Sequence, residues 1–335
     1  MKAGSIKQTG ESVSVAMATY KGIVHLRQQV ASLFNQTRLP DELVIYDDAS
    51  GDGTADFLRR IAAQAPVHMR IVEGSRNVGV NAAFQAALAE CSGDIVFFCD
   101  QDDIWLPGKI ETFLDTLRAE PDAAFAFCDA FQFNSETAEL DISLWELARF
   151  SARRQARFHR DPLGAMLGGG NFVYGMASAF RRKTLERFMP IDCDPVGMTH
   201  DTWFALHAVA SGGTGVAIPE RLVRYRRHDK QTSVVLGERA GERQARLEKA
   251  RSRAVALIEA LRKVRRNVER EACSSGRDAA LAIGQLDRRI AFLEARERLR
   301  ATRSMPGALR AMVNLEYWRQ ASGPASVLRD YRGTW

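Results

Sequence analysis

The chain has 335 residues, of which 46% are hydrophobic and 26% charged, and its formal net charge is +6. This composition is typical of a folded globular protein, so it excludes a largely disordered chain and a peptide-sized binder. No segment approaches the roughly 20 consecutive apolar residues that span a bilayer, and the first ten residues lack the apolar core of a signal peptide. We therefore expect the protein to stay in the cytoplasm.

The cysteines and the net charge narrow the class of partner. The five cysteines are scattered and form no CxxC pair, which predicts reduced thiols rather than a disulfide framework or a zinc site. The net charge is modest for this length, and the chain has no recognised nucleic-acid motif. We expect no nucleic acid among its partners.

The first 130 residues alternate strand-like runs with segments of helical period. Strands are predicted at 13–19, 43–47, 69–73, 95–99 and 124–128, and helices at 25–35, 54–64, 81–90 and 109–118. The alternation predicts an α/β fold with a mainly parallel central sheet flanked by helices. Ligands of such sheets bind beyond the carboxyl ends of the strands, where polar residues follow at 19–21, 47–50, 74–77 and 100–103.

Three carboxylates, those of Asp100, Asp102 and Asp103, directly follow the apolar run at 95–98. Such closely spaced like charges repel each other unless a cation or a proton neutralises them. Mg²⁺ or Mn²⁺ held by one or two carboxylates and by phosphate oxygens suits this pattern. The alternative is a solvated loop, or caps for the helix near Lys109.

The second half of the chain has a different pattern. Residues 134–220 are irregular, with a glycine-rich turn at 168–170 and a helix predicted near Asp201. Beyond residue 236 the sequence is rich in Arg, Glu, Ala and Leu, and two apolar stripes are separated by a break at 274–276. The spacing predicts a basic helical hairpin as a C-terminal appendage.

Three segments resemble family 2 glycosyltransferases, especially the branch described as rhamnosyltransferase-like. Residues 97–109 (FFCDQDDIWLPGK) resemble the family's metal-binding segment, residues 44–54 (VIYDDASGDGT) its nucleotide-binding segment, and residues 76–79 (RNVG) its RNxG turn. The similarity covers roughly residues 12–235. It implies a GT-A fold over residues 1–235, with a nucleotide-sugar-binding half at 12–130, an acceptor-side half at 131–235, and a helical region at 236–335.

The resemblance also assigns roles in the first half. Asp47 would bind the nucleotide base, Asp100 would lie near the ribose and the metal, and Asp102 would ligate Mg²⁺ or Mn²⁺. The other implied donor contacts are Thr19, Tyr20, Ser50, Arg76 and Asp103. The alternatives are a simple turn at Asp47 and a solvated arginine at Arg76.

In the second half, residues 199–204 (THDTWF) resemble the segment whose aspartate deprotonates the acceptor hydroxyl, which assigns that role to Asp201. His200 stands where many family members have Glu, so its role stays open, and helix capping is the alternative for Asp201. His228, in the YRxH-like run, is a candidate metal or phosphate ligand, or an exposed histidine. Asn171 resembles part of an acceptor-side GN pair, and Trp105 and Trp203 are candidates for sugar stacking or for the core.

The combined prediction is an inverting glycosyltransferase that uses dTDP-rhamnose or a UDP-hexose and builds bacterial surface polysaccharide. Its acceptor would be a glycan or lipid-linked glycan, with the C-terminal helices packing on the catalytic domain, on the inner membrane face or on a second copy of the chain. The alternatives are a noncatalytic nucleotide-sugar-binding or membrane-assembly protein and a sugar nucleotidyltransferase. The latter more naturally has a phosphate loop after its first strand, and residues 18–22 match one poorly.

Overall fold

The computed structural model describes residues 10–134, 139–228, 243–302, 304–313, 317 and 325–332. Contacts within the chain divide it into two compact units. The first unit contains the residues up to Phe131 together with Gly175–Arg187 and Val216–Arg226. The second contains Gln132–Tyr174, Phe188–Gly215 and the residues from Arg227 onward.

The described strands are β1 (Val13–Thr19), β2 (Glu42–Asp47), β3 (His68–Glu73), β4 (Ile95–Cys99), β5 (Ile104–Trp105), β6 (Ala123–Asn134), β7 (Glu139–Leu140), β8 (Ser178–Arg181) and β9 (Thr214–Arg227). The described helices are α1 (Ile23–Phe34), α2 (Thr54–Ala62), α3 (Val80–Ala89), α4 (Lys109–Ala119), α5 (Leu144–Leu147), α6 (Ala152–Arg160), α7 (Pro162–Leu167), α8 (Arg182–Phe188), α9 (His200–Ala210), α10 (Arg243–Ser275), α11 (Ala280–Thr302), α12 (Met305–Val313) and α13 (Ala325–Arg332).

The sheet of the first unit has the strand order β3-β2-β1-β4-β8-β6-β9-β5. Its first four strands are parallel, as the alternating pattern predicts. From β4 onward the pairing changes, because β8 runs antiparallel to both β4 and β6, and β5 runs antiparallel to β9. The predicted α/β fold is confirmed, and all four polar segments named above follow strands of the parallel half.

The first unit is built around strand β4. All five of its residues are buried, because the sheet is covered on both faces, which explains the uninterrupted apolar run. The ring of Phe97 lies 5.6 Å from that of Trp105 and 5.2 Å from that of Phe113 on α4. The strand therefore ends in a rigid apolar layer, with the acidic residues at its exposed end.

The second unit is largely helical. The predicted C-terminal hairpin is present as α10 and α11, which pack against each other, and its turn includes Gly276 in the left-handed region at φ 69°. The buried carboxylate of Asp330 on α13 accepts hydrogen bonds from Arg296 and Arg300 of α11 and from the hydroxyl of Tyr317. These bonds hold the last described helix on the hairpin.

The predicted domain boundary between residues 235 and 236 lies outside the described residues, so the domain division stays a prediction. Among the helices that are described, none combines the length and the apolar content needed to cross a bilayer.

We expect Phe97→Ala to lower the free energy of unfolding by about 3–5 kcal/mol, because it opens a cavity in the aromatic layer at the end of β4. Urea unfolding would measure the loss. Val24→Ala is the control, since Val24 is 76% exposed on α1 and should change stability by less than about 0.5 kcal/mol. Equal stability of the two variants would contradict the central position of Phe97.

Candidate functional site

The candidate site lies at the carboxyl ends of β1, β2 and β4. From β1 the chain moves outward through β2 to β3, and it then returns to place β4 on the other side of β1. A crevice opens at such a reversal of strand order, and ligands of open α/β sheets bind there. The loops that follow β1, β2 and β4 contain most of the residues that the sequence predicted for the donor.

Gln101 joins the loop after β1 to the loop after β4. Its Oε1 accepts a hydrogen bond from the backbone N–H of Tyr20 at 2.9 Å, and its Nε2 donates to the carbonyl of Tyr20 at 3.0 Å. Gly22 leaves room for this pair, because a Cβ there would lie only 2.6 Å from Cδ of Gln101. The two loops are fixed to each other, while Tyr20 remains 43% exposed.

Asp47, at the end of β2, is the buried centre of a second network. Its carboxylate accepts from the hydroxyl of Thr19 at 2.9 Å, from the backbone N–H of Ser50 at 3.1 Å and from the hydroxyl of Ser50. Ser50 Oγ in turn accepts from the backbone N–H of Lys21 at 2.9 Å. The network thus joins three of the residues that the sequence predicted for the donor, Thr19, Asp47 and Ser50, across β1 and β2.

Asp48 organises the RNxG turn. Its two carboxylate oxygens accept from the backbone N–H groups of Val78 at 2.7 Å and Gly79 at 3.0 Å. Gly79 has φ 85°, a left-handed conformation that favours glycine. Arg76 lies on this turn and is exposed, so its guanidinium is accessible to an anionic ligand.

The acidic cluster after β4 has one fully buried member. Asp100 and Asp102 are half-buried, whereas Asp103 is 0% exposed. One carboxylate oxygen of Asp103 accepts from the backbone N–H of Arg226 at 2.9 Å, and the other has no hydrogen-bond partner among the described residues. Burial and the neighbouring carboxylates of Asp102 and Asp100 raise the pKa of Asp103 well above its ordinary value.

Arg226, near the end of β9, holds the backbone of the acidic cluster. Its Nε donates to the carbonyl of Asp102 at 2.7 Å, and its Nη2 donates to Oε1 of Gln28 on α1. Arg226 is 3% exposed. The loop is therefore fixed from β9 and from α1 at the same time.

Lys109, the first residue of α4, is a fully buried cation. Its Nζ lies 3.3 Å from the centre of the Trp105 ring and donates to the carbonyl of Met176. Burial lowers the pKa of Lys109 to about 8. Trp105 is 2% exposed beneath this ammonium group, which places its ring in the core, one of the two positions that the sequence left open for it.

Asp201 lies in the second unit, as the second residue of α9. Thr199 occupies the N-cap position of α9, so Asp201 is not the capping residue. One carboxylate oxygen of Asp201 accepts from the Thr199 hydroxyl and from the Thr202 backbone N–H at 2.6 Å. Asp201 is 6% exposed, and its carboxylate is held in one orientation by these bonds.

The other residues predicted on the acceptor side are placed as follows. His200 is 4% exposed, and burial lowers its pKa to about 4, so its imidazole is neutral near pH 7. Trp203 is fully buried and donates from Nε1 to the carbonyl of Phe188 at 3.0 Å, which assigns it to the core rather than to sugar stacking. Asn171 is exposed and accepts from the Val173 N–H at 3.2 Å. His228 follows β9 and is half-buried.

The described residues contain no group of three or more His, Cys, Asp or Glu side chains arranged to hold a metal ion. The carboxylates of the acidic cluster are nevertheless the oxygen ligands that Mg²⁺ and Mn²⁺ prefer. The buried Asp103 oxygen without a hydrogen-bond partner is consistent with a nearby cation. The donor set therefore fits a divalent cation that takes most of its ligands from a bound phosphate group and from water.

Sequence reasoning overlooked three residues that shape the site: Asp48, Gln101 and Arg226. Asp48 and Gln101 lie inside the quoted motifs, directly beside residues that were selected. Their function is to fix loops through backbone hydrogen bonds, and such long-range bonds leave no signal in the spacing of residue types. Arg226 is more than 120 residues away from the loop that it holds.

Comparison with known proteins identifies the family. The profile described as glycosyl transferase family 2 matches residues 14–188, more than half of the chain. An uncharacterized glycosyltransferase of Nostoc sp. is 25% identical over 238 residues, which is 70% of each protein. The chain spans only 59% of the length of its mycobacterial relatives.

Solved structures agree in fold. The Staphylococcus aureus protein TarS, residues 1–349 in complex with UDP-GlcNAc, aligns with 96% of this chain and 80% of its own, with a TM-score of 0.55 and 14% identity. The mannosyltransferase PcManGT of Pyrobaculum calidifontis, in complex with GDP-Man and Mn²⁺, aligns with 96% of this chain and 86% of its own, with a TM-score of 0.50 and 19% identity.

The low pKa of Lys109 predicts a pH effect on stability. Between about pH 8 and pH 10.5 the unfolded chain still holds a proton that the folded Lys109 has released, so this lysine makes stability rise with pH over that window. Lys109→Met removes the contribution. The wild-type stability minus that of the variant, measured by urea unfolding at about pH 7.5 and pH 10, should increase by on the order of 1–3 kcal/mol.

A difference that stays constant between these two pH values would contradict the buried, destabilised ammonium group. Lys183→Met is the control for removing a lysine, because Lys183 is exposed on α8.

Proposed function

The chain belongs to glycosyl transferase family 2, and we propose that it is a metal-dependent, inverting enzyme that moves one sugar from a nucleoside-diphosphate sugar to an acceptor hydroxyl. The observation that carries this proposal is the pair of networks at the strand-order reversal. The Thr19–Asp47–Ser50 network and the acidic cluster both lie at the carboxyl edge of the parallel strands. The Thr19–Asp47–Ser50 network suits a nucleoside, and the acidic cluster suits a cation that accompanies the phosphates.

The donor half of the proposal concerns the nucleotide. Asp47 keeps further lone pairs on its carboxylate and can accept the imide N–H of uracil or thymine, with Thr19 and Tyr20 beside it. Arg76 meets the diphosphate with its fork of donors. UDP-GlcNAc and GDP-Man are bound in the two solved structures of the same fold. We propose dTDP-rhamnose or a UDP-hexose as the donor of this chain.

The metal half of the proposal concerns Asp102 and Asp100. Asp102 would hold Mg²⁺ or Mn²⁺, with Asp100 beside the ribose and His228 as a further contact to the metal or the phosphates. When bound, a divalent cation offsets the negative charge that builds up on a departing diphosphate. Arg226 and Asp103 keep the backbone of this loop in place.

The base in the proposed reaction is Asp201. Its carboxylate takes the proton of the acceptor hydroxyl while the hydroxyl oxygen forms a bond to the anomeric carbon. The bond between that carbon and the diphosphate oxygen breaks, and its electron pair leaves with the nucleoside diphosphate. Because attack and departure occur on opposite faces, the product has inverted configuration and no covalent glycosyl-enzyme forms.

The proposed acceptor is a glycan or lipid-linked glycan of a bacterial surface polysaccharide, which the resemblance to the rhamnosyltransferase-like branch favours. Charge also supports a position at the inner membrane face. Residues 243–335 contain 21 Lys and Arg against 10 Asp and Glu, and such a basic region is attracted to anionic lipids. Helix α12 adds an exposed apolar stripe of Met305, Leu309 and Val313.

Calorimetry with UDP, dTDP and GDP, each with and without Mn²⁺, tests the donor site. We expect UDP or dTDP to bind at least about tenfold more tightly with Mn²⁺, because the acidic cluster would hold the cation and the cation would offset the charge of the phosphates. Asp47→Ala should weaken binding, whereas Asp56→Ala should not, because Asp56 is an exposed residue of α2. Absence of binding for all three nucleotides would contradict the proposed function.

Asp201→Asn tests the base. The amide keeps the size of the side chain but cannot accept the proton, so we expect kcat for sugar transfer to fall about 10²- to 10⁴-fold while the Kd for UDP or dTDP stays within about twofold. Transfer from UDP-glucose, UDP-GlcNAc and dTDP-rhamnose to a polyprenyl-diphosphate-linked sugar is the assay. Asp141→Asn, which removes an exposed carboxylate of the second unit, is the matched control.

If Asp201→Asn keeps its transfer rate, another group is the base. If the variant loses nucleotide binding as well, Asp201 serves the donor rather than the acceptor hydroxyl.

A further inference from the structure

Helix α10 holds the helix that carries Asp201. The two helices pack against each other within the second unit. We propose that α10 is a positioning element for Asp201, with Gly197 and Asn267 as the residues through which it acts. This inference rests on the proposed role of Asp201 as the base, and it gives the C-terminal helical region a part in the reaction.

The first contact lies just before α9. Gly197 is so close to α10 that a Cβ at this position would lie 2.5 Å from the backbone nitrogen of Leu257 and closer still to the carbonyl carbon of Ala256. Real side-chain carbons do not approach a helix backbone so closely, so only glycine fits here. Four residues after Gly197 comes Asp201, and the hydroxyl of Thr199 between them donates to the Asp201 carboxylate.

The loop before α9 is fixed to α10 by polar contacts as well. Lys263 donates from Nζ to Asp192 at 2.7 Å, and Arg253 donates from Nε to the carbonyl of Val196 at 3.4 Å. Within the loop, the carbonyl of Asp194 accepts from the backbone N–H groups of both Gly197 and Met198. The chain therefore enters α9 along a path that α10 determines.

The second contact lies at the other end of α9. His207 is 0% exposed, and burial lowers its pKa to about 4, so its ring is neutral near pH 7. Its Nδ1 lies 2.8 Å from the Trp203 carbonyl and its Nε2 lies 3.2 Å from Nδ2 of Asn267 on α10. Both bonds are satisfied when Nδ1 carries the proton and Nε2 accepts from the Asn267 amide.

A third bond reinforces this end. The hydroxyl of Ser211, which directly follows α9, donates to the carboxylate of Glu271 on α10. Lys263, Asn267 and Glu271 recur at intervals of four and therefore share one face of α10. Through that face α10 contacts the loop before α9 at Asp192 and the C-terminal end of α9 at His207 and Ser211. Together with the close packing at Gly197, these contacts restrain α9 and its first turn, where Asp201 lies.

The main test is Gly197→Ala in the full chain. The added methyl group must displace the loop from α10, and displacement of about 1 Å at a reacting group can slow a reaction about 10²-fold. We expect kcat for transfer to fall about 10- to 100-fold, while the donor KM and the Kd for UDP or dTDP stay within about twofold. Gly284→Ala on α11 is the control, because its Cβ would meet only the flexible end of Arg288 at 3.4 Å.

A double-mutant comparison separates positioning from general damage. If Gly197 acts through Asp201, adding Gly197→Ala to Asp201→Asn should cause no further loss of transfer, because the group being positioned has already been removed. If Gly197→Ala lowers transfer by the same factor in Asp201→Asn as in the wild type, the inference is overturned. A wild-type kcat for Gly197→Ala alone would also overturn it.

Amide hydrogen exchange tests whether packing on α10 holds the start of α9, and this measurement needs no ligand. In Gly197→Ala the amides at 199–204 should exchange at least about tenfold faster than in the wild type, whereas those of β1 and β4 should not change. If Gly197→Ala does not fold, Asn267→Ala takes its place in every measurement, because it leaves Nε2 of the buried His207 without its donor. A wild type that shows no transfer would instead contradict the proposed function, and unchanged exchange at 199–204 would contradict the positioning.

Discussion

Repulsion among carboxylates at the end of a buried strand is the constraint on which the candidate site depends. Strand β4 is fully buried, and it delivers Asp100, Asp102 and Asp103 into one short loop. Hydrogen-bond donors and cationic side chains around this loop offset part of the repulsion. The backbone N–H and the guanidinium of Arg226 bind this loop, and the buried Lys109 lies nearby and attracts the carboxylates of Asp103 and Asp100. Burial and the carboxylates of Asp102 and Asp100 nevertheless raise the pKa of Asp103 well above its ordinary value.

The neighbouring loops use the same chemistry with neutral donors. Asp47 and Asp48 are both 3% exposed, and each carboxylate is surrounded by N–H and O–H groups of its own or a neighbouring loop. Hydrogen bonds of this kind let a carboxylate stay buried without a charged partner. Two loop residues, Lys21 at φ 50° and Ala49 at φ 57°, adopt left-handed conformations. Such strain persists only where the surrounding bonds hold the backbone firmly, so these loops are already organised before a ligand binds.

In the second unit the structure orients a single carboxylate, that of Asp201, whereas in the first unit it offsets the repulsion among several carboxylates. Its first-turn position in α9 places the carboxylate near the positive end of the helix dipole, and Thr199 and Thr202 orient it. The long helix α10 supports α9 through close backbone packing at Gly197 and through the neutral His207. A C-terminal region that the sequence presents only as a basic hairpin therefore contacts the segment that holds the proposed base.

Some of this was determined by the sequence alone. The alternation of apolar runs and helical periods located strands β1 to β4 and their helices to within two residues, because burial of a two-faced sheet requires those periods. The motifs also singled out Asp47, Asp102 and Asp201, because the resemblance to family 2 segments assigns a role to each of them, and those roles stay proposals.

Only the tertiary structure decided the rest. Trp105 and Trp203 looked equally suited to a sugar or to the core, and burial settled both in favour of the core. The roles of Gln101, Asp48 and Arg226 also became visible only in the structure, because these side chains form hydrogen bonds with backbone groups that are distant in the sequence. Gly197 shows the reason most clearly. The sequence does not show which element packs against a loop glycine. That only glycine fits at position 197 follows from the backbone of α10, which packs directly against it.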